Sequence, residues 1–371
     1  MQLDETEDQA ALRQSVRSVL ERECPMAEVR ALVEARVRGE DLGDGGIDHR
    51  LWRTTAALDW PALTVPEAHG GIGLGFVEVG ILAEELGRVL APGPLVPTLT
   101  QLTPAVRVVG DTARLAAIAA GTLTGSLAVA ERHGWSLDGV AARAVRAGGG
   151  WDLTGRKDHV MEVGAVDVYA AVVREQDGFA IALIPSAAAV AEPVRSLDPT
   201  RRFGSVVLDG IHLEASKVHL VDAGTLTCVV EEATIAVALD LVGCCQSIFD
   251  TTIAYARDRV QFGVPIGSFQ AVKHKLVNMF VSLERARATA YFALACVAED
   301  DQRRALAAAM AKAAAGDCQR LVASDGIQLL GGIGYTWEHD QHLFVTRAKA
   351  DEALFGSAND HRRAVAAHLG F

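Results

Sequence analysis

The chain has 371 residues, of which half are apolar and only 5% aromatic, with 35 basic and 47 acidic side chains and a net charge of −12. That apolar fraction is enough for a large core and excludes disorder as the main state. The acidic balance excludes a general nucleic-acid or anionic-membrane binder. With no apolar run of the ~18–20 residues a spanning helix needs and no charged-then-apolar leader, the expectation is a soluble, cytoplasmic protein.

The first third reads as helical. Residues 5–38 carry Ala, Leu, Val, Glu and Arg at helical spacing. A short helix is expected from Leu51 to Leu58, then a turn over Trp60–Glu67 that leads into Gly70-Gly71-Ile72-Gly73-Leu74-Gly75. This glycine run lacks the GxGxxG spacing and the preceding strand of a dinucleotide fingerprint, so it reads as a tight loop. Helix resumes from Phe76 to Leu90, and Ala91-Pro92-Gly93-Pro94 breaks it.

The middle third changes period. Short apolar runs at Ser126–Ala130, Trp151–Leu153, Val168–Val173, Phe179–Ile184, Ser205–Leu208 and Val218–Val221 are separated by Gly, Asp and Pro. They predict a β-barrel or sandwich. The last third returns to long helices, at Thr225–Arg259, Ser268–Asp300, Gln302–Leu330 and Gln341–Leu354, as in a four-helix bundle. The expected class is α+β in three domains: an N-terminal helical domain (1–124), a middle β domain (125–222) and a C-terminal bundle (223–371).

Metal and thiol chemistry find little support. The six cysteines have no zinc or redox spacing, and most lie in apolar helical stretches where a thiol acts as a small hydrophobe. His339 and His342 stand three apart beside Glu338 and Asp340; a metal site or a set of solvated helix caps both fit. The expected metal complement is none. Arg259 and Gln261, held in the turn Phe262-Gly263-Val264-Pro265-Ile266-Gly267 between two helices, suit phosphate contact. Ser268 is the expected N-cap of the following helix.

The stretch Tyr255–Gln270, reading YARDRVQFGVPIGSFQ, closely resembles the RxQFGxPIxxFQ turn of the acyl-CoA dehydrogenase family of flavoproteins. Val65-Pro66-Glu67 through Leu74 is similar to that family's VPExxGGxGL, Glu84–Pro94 to its EELGRxxAPxP, and Gln328–Tyr335 to its QxxGGxGY segment. The four motifs occur in the family's order over essentially the whole chain. The resemblance implies an acyl-CoA thioester as substrate, α,β-desaturation with hydride transfer to FAD, an electron-transfer flavoprotein or similar acceptor, and tetrameric assembly. It implies neither nucleic-acid binding nor membrane insertion.

Resemblance also exposes departures. The family's catalytic base, a glutamate in a YEGT stretch, falls at Phe355 within Leu354-Phe355-Gly356-Ser357. A second family position for the base, on the helix before the RxQFG turn, falls at Ala233, beside Glu231 and Glu232. Neither is a straight replacement, since one residue along a helix turns a side chain by about 100°. Glu232 is the fallback base, with Glu338 or Asp340 as more distant alternatives. On the flavin-ring side, the family's TEPxxGSD becomes Val129-Ala130-Glu131-Arg132-His133-Gly134-Trp135-Ser136. Ala130 stands for the threonine and Trp135 for a glycine. KxWIT becomes Lys157-Asp158-His159-Val160-Met161, which removes the hydroxyl expected near flavin N5. The groups that would clamp the FAD diphosphate and adenosine of a neighbouring subunit are kept: Arg259, Gln261, Phe262, Gln328 and Gly332.

The resemblance is therefore to the non-catalytic chain of heterotetrameric members. The expected function is a subunit of an FAD-dependent acyl-CoA dehydrogenase that completes the FAD site of a catalytic partner chain. A self-sufficient homotetramer using Glu232, and a flavin-free scaffold or binding protein, are the alternatives.

Overall fold

In the computed structural model, residues 5–40, 42–43, 46–132 and 134–371 are described. The chain runs helical, then β, then helical. The helices are α1 (Glu7–Glu23), α2 (Met26–Arg38), α3 (Ile47–Ala57), α4 (Phe76–Arg88), α5 (Leu95–Pro97), α6 (Thr103–Val109), α7 (Thr112–Ala119), α8 (Ala223–Asp258), α9 (Gln270–Ala298), α10 (Arg304–Leu330), α11 (Gln341–Ala353) and α12 (Ala358–His368). The helical stretch expected over 5–38 is formed by two helices. Cys24 and Pro25 separate them, because proline's ring excludes the helical conformation from the residue before it. α12 lies beyond the four C-terminal helices that the sequence predicts; a capping box between Ser357 and Asp360 starts it.

Two compact units divide the chain. One comprises Met1–Glu34, Phe76–Ala91 and Thr234–Phe371; the other comprises Ala35–Gly75 and Pro92–Ala233. In the first, α4 and α8 touch backbone to backbone. A Cβ on Gly243 would fall 2.0 Å from the Glu84 carbonyl oxygen, and one on Gly87 would fall 2.1 Å from that of Asp240. Only glycine permits that approach. Beside the crossing, Glu84 and Glu85 are buried on α4. Arg13 reaches both, Arg17 holds Glu85, and Arg287 and the Tyr291 hydroxyl bond Glu84. Burial pushes the Glu84 carboxyl up, but Arg13 and Arg287 outweigh it and hold it below the ordinary glutamate value.

The second unit contains two of the chain's sheets. The larger runs β10 (Val218–Val221), β6 (Gly178–Pro185), β5 (Val168–Glu175), β2 (Arg143–Ala147), β3 (Gly150–Thr154) and β9 (Ile211–Glu214) in order, with β1 (Gly125–Ala128) parallel to β5. β5 and β6 are buried on both faces, which explains their unbroken apolar runs. Trp151, Leu153, Tyr169, Val173, Ile184 and Leu213 belong to this unit's apolar core. The smaller sheet runs β4 (Arg156–Met161), β8 (Phe203–Val207) and β7 (Val190–Val194). The register between β4 and β8 slips between Lys157 and Val160, and His159 sits in that bulge at φ +54°.

The glycine run at 70–75 is a tight loop, as its spacing predicts. Gly70 and Gly73 have positive φ, and a Cβ on Gly71 would overlap the Val65 carbonyl.

Candidate functional site

α8 ends at Asp258, and the chain turns through a two-stranded hairpin, β11 (Val260–Gln261) and β12 (Val264–Pro265), before α9. The Arg259 N–H donates to Tyr255 O and the Ile266 N–H to Arg259 O, each at 2.8 Å, so the backbone at Arg259 is fixed from both sides. Phe262 stands at the tip with φ +53° and 93% of its surface exposed. A non-glycine residue in the left-handed region that also displays an aromatic ring pays twice, in strain and in solvation. Its ring meets the edge of the Phe269 ring, at 6.2 Å between centroids. Ser268 is not the cap of α9. Its hydroxyl donates to Pro265 O, and Phe269 occupies the cap position without a side-chain bond, because a 3₁₀ turn over Ile266–Ser268 precedes the helix.

Arg259, Gln261, Gln328 and Gly332 are all exposed. Gln261 folds back to donate to Val260 O at 2.8 Å. A Cβ on Gly332 would meet nothing within 4 Å, so this chain's own packing does not require glycine there. An external group can approach the backbone at that point. A permanent guanidinium, amides, an aromatic ring and an open backbone are the kinds of group that contact the phosphate and adenosine end of a dinucleotide.

The ring-side positions behave differently. Ala130 is fully buried, and its carbonyl accepts the Asp158 N–H at 2.8 Å. Met161 is 2% exposed. Its sulfur lies 2.9 Å from Gln101 Nε2, and its carbonyl accepts the Ser126 hydroxyl at 2.6 Å. Trp135 and His159 stack on each other with centroids 6.1 Å apart. His133, in the same run, lies outside the described residues. Glu131 and Lys157 are paired, and Lys157 also donates to Val129 O at 3.2 Å. At the two positions where the resemblance expects a hydroxyl toward the flavin ring, the structure has Ala130 and Met161, both buried, whereas His159 and Ser136 are exposed.

At the expected base position Phe355 is 4% exposed and has φ +54°. Its turn is tied down. Lys312, fully buried in α10, donates to Glu352 O at 2.8 Å and to Gly356 O at 2.7 Å. The His361 ring donates through Nε2 to Phe355 O at 2.9 Å. Burial, reinforced by the Lys312 charge, pushes His361 down to about 4, so its ring is neutral at pH 7. Lys312 itself is pushed down to about 8 by burial, against the pull of Glu352, Asp351 and Asp360.

The fallback base is held elsewhere. Both Glu232 carboxylate oxygens accept from Arg107 Nη2, at 2.8 and 2.7 Å. Glu231 is also buried, and Ala233 is fully so. Glu338, His339, Asp340 and His342 do not converge. Asp340 pairs with Arg30, His339 Nδ1 accepts the Gln341 N–H, and His342 Nδ1 faces His339 O at 2.7 Å. Among the described residues, the only trio of ligand-type side chains close enough to share an ion is Asp240, Cys244 and Asp351. Arg347, fully buried, stands 3.4 Å from Asp240.

The sequence alone did not reveal three separate interior contacts: Arg347 beside Asp240, Lys312 on the Glu352 and Gly356 carbonyls, and the Glu84–Glu85 pair on Arg13, Arg17 and Arg287. The one local signal was two adjacent glutamates inside the apolar run of α4.

Comparison with known proteins agrees with the motifs. A family model for the acyl-CoA dehydrogenase N-terminal domain matches residues 6–114, and one for the C-terminal domain matches residues 227–370. The chain is 32% identical over 356 residues to acyl-CoA dehydrogenase IpdE2 of Mycobacterium tuberculosis, covering 95% of each. Its fold is that of the ChsE4-ChsE5 complex from Mycobacterium tuberculosis, with TM-score 0.89 at 22% identity over 100% of this chain and 99% of that one. It is also that of a glutaryl-CoA dehydrogenase from Mycobacterium smegmatis solved with FADH2, with TM-score 0.88 at 21% identity over 98% and 95%.

Proposed function

Because the chain belongs to the acyl-CoA dehydrogenase family, whose members are oxidoreductases acting on CH–CH groups, we propose that it is a non-catalytic subunit that completes the FAD site of a catalytic partner chain. The observation that carries this reading is an asymmetry. Arg259, Gln261, Phe262, Gln328 and Gly332 are all exposed at the surface. The base position is a buried phenylalanine, and the two positions where a flavin-facing hydroxyl is expected are a buried alanine and a buried methionine, Ala130 and Met161.

The chemistry of desaturation shows what is lacking. Removing the α-proton of a thioester needs a carboxylate within reach of that carbon, and the developing enolate needs hydrogen-bond donors. Phe355 accepts no proton. FAD held with the partner would supply the acceptor for the β-hydride. This chain's contribution is electrostatic: Arg259 offers a fixed cationic fork to the diphosphate, and Gly332 leaves room for the cofactor to lie against the backbone.

An exposed apolar stripe on α9 supports association with another chain. Val277, Phe280 and Val281 face outward on successive turns, and the Phe280 ring packs on Phe249 at 5.9 Å. The self-sufficient reading is less well supported, since Arg107 occupies both oxygens of Glu232.

Co-expression with a second acyl-CoA dehydrogenase chain tests the proposal. FAD retained by the purified complex is measured by absorbance at 450 nm, and turnover with a panel of acyl-CoA thioesters. Arg259→Ala is expected to lower FAD occupancy of the complex at least tenfold at limiting cofactor, the scale of one lost charge-assisted pair. Glu232→Gln is expected to leave turnover nearly unchanged. Acyl-CoA oxidation by this chain alone, lost in Glu232→Gln, would replace the subunit reading with the self-sufficient one.

A further inference from the structure

We infer that the cavity lined by α3, the residue that follows β4 and the segments before β1 and β5 binds a small alkylammonium ion, with Glu162 as the acceptor of its N–H groups. The cavity measures about 210 Å³, and its wall includes Asp48, Trp52, Pro94, Glu162, Asp167 and Arg202. All of these lie within the β-containing unit, so neither FAD nor a partner chain is called on.

Glu162 is fully buried, yet its backbone stands in the left-handed region at φ +48°. Its N–H donates to Arg202 O at 2.6 Å, and its Oε1 accepts the Arg202 N–H at 3.3 Å. Its Oε2 is buried with no hydrogen-bond partner among the described residues. A buried carboxylate oxygen left unpaired is costly, and so is a left-handed glutamate. A chain that carries both at one residue keeps that residue for binding rather than for stability. Burial pushes the Glu162 carboxyl up, while Arg36 and Arg202 pull against it. A bound cation would add to that pull.

The two guanidinium groups that act on Glu162 are turned to Asp48. Arg36 Nη2 reaches Asp48 Oδ2 at 2.7 Å, and Arg202 Nη1 reaches the same oxygen at 3.3 Å. Asp167, exposed on the cavity wall, accepts the Thr124 N–H and hydroxyl on Oδ2 at 2.8 and 2.7 Å. Three carboxylates thus face two arginines, and with histidine counted as neutral one negative charge is left over. A single positive charge that donates hydrogen bonds answers both the surplus charge and the unpaired oxygen. A metal ion does not, because the oxygens of Asp48, Glu162 and Asp167 are not gathered within the 4.8 Å of one another that a shared ion needs. The Trp52 indole N–H is already donated to Gly121 O at 3.2 Å. What Trp52 brings to the wall is therefore an apolar ring, which suits an ammonium group or its alkyl stem.

Saturation-transfer NMR on the full chain tests this, following the methyl protons of methylammonium at an ionic strength held constant with sodium chloride. The expected result is saturable binding with a Kd of about 1–10 mM, the scale of one charge-assisted hydrogen bond and a little buried surface. n-Propylammonium, which adds two methylenes, is expected to bind up to about tenfold more tightly. Tetramethylammonium, which has no N–H to give, is expected to bind at least about tenfold more weakly than methylammonium. Glu162→Gln keeps the shape of the side chain and removes its charge, and is expected to weaken methylammonium binding at least about tenfold. No saturable signal up to about 100 mM methylammonium overturns the inference, and that result needs no variant. Tetramethylammonium binding as tightly as methylammonium overturns it too, as does full methylammonium affinity in the folded Glu162→Gln chain.

Discussion

Acid titration of His361 is the most direct probe of the turn at the expected base position. The folded ring stays neutral down to about pH 4, against 6.5 for an ordinary histidine. It is pinned between Phe355 O at 2.9 Å and the neighbouring Lys312 charge. Above pH 6.5 the ring is neutral in folded and unfolded chains alike, and its contribution is fully present. As pH falls from 6.5 toward 4 the unfolded chain takes up a proton that the folded chain refuses, so stability drops. Below 4 both forms are protonated and the loss levels off. At 1.36 kcal/mol per pH unit, that interval bounds the loss at about 3 kcal/mol. Carboxylates titrating at lower pH act in the same direction, so the comparison is with His361→Gln, which keeps a donor for Phe355 O but does not titrate. Urea unfolding followed by circular dichroism at pH 7, 6, 5 and 4.5 should show the wild type losing about 2–3 kcal/mol more than the variant across that range. Parallel profiles for the two proteins would refute the reasoning, since the linkage vanishes only if the folded ring titrates as the unfolded one does.

Two further substitutions probe the helical unit. Arg347→Met leaves Asp240 and Asp351 buried without the guanidinium that stands 3.4 Å from Asp240; the expected cost is about 3 kcal/mol, at the lower end for a broken buried pair because that contact is long. Differential scanning calorimetry should register this as a fall of several degrees in Tm, and a shift under about 2 °C would show that the aspartates are compensated another way. Gly243→Ala places a methyl 2.0 Å from Glu84 O at the α4–α8 crossing, and the same scan should show it to be destabilising, by about 1–3 kcal/mol or more, despite alanine's better helix propensity. A neutral or stabilising alanine would mean that the crossing relaxes freely.

How much of this was legible in the sequence depended on where each element keeps its partners. β5 and β6 announce themselves because both faces are buried, which writes an unbroken apolar run. β2, β7 and β9 do not. β2 buries one residue of five, β7 buries none, and β9 alternates over only four residues, so their runs are interrupted by Arg, Glu and His. β4 hides for a different reason: its bulge breaks the period of two between Lys157 and Val160. The hairpin residues Arg259–Phe262 were readable because they are contiguous and local to one turn. Arg107 with Glu232, Gln101 with Met161 and Arg347 with Asp240 were not. Those partners are separated by 125, 60 and 107 residues, and no local spacing encodes such pairs.

The hairpin tip has a consequence for how the protein lives in a cell. A newly folded chain presents a strained, almost fully solvated phenylalanine at position 262, with the apolar stripe of α9 also uncovered. Surfaces of this kind are what chaperones hold and what proteases and aggregates claim first. Among the described residues that ring is left 93% exposed. On the subunit reading, its shelter arrives only with a companion chain, and the steady-state amount of this protein would then track the synthesis of that companion. A surplus would be cleared rather than stored, so that assembly sets the supply of the subunit as well as its use.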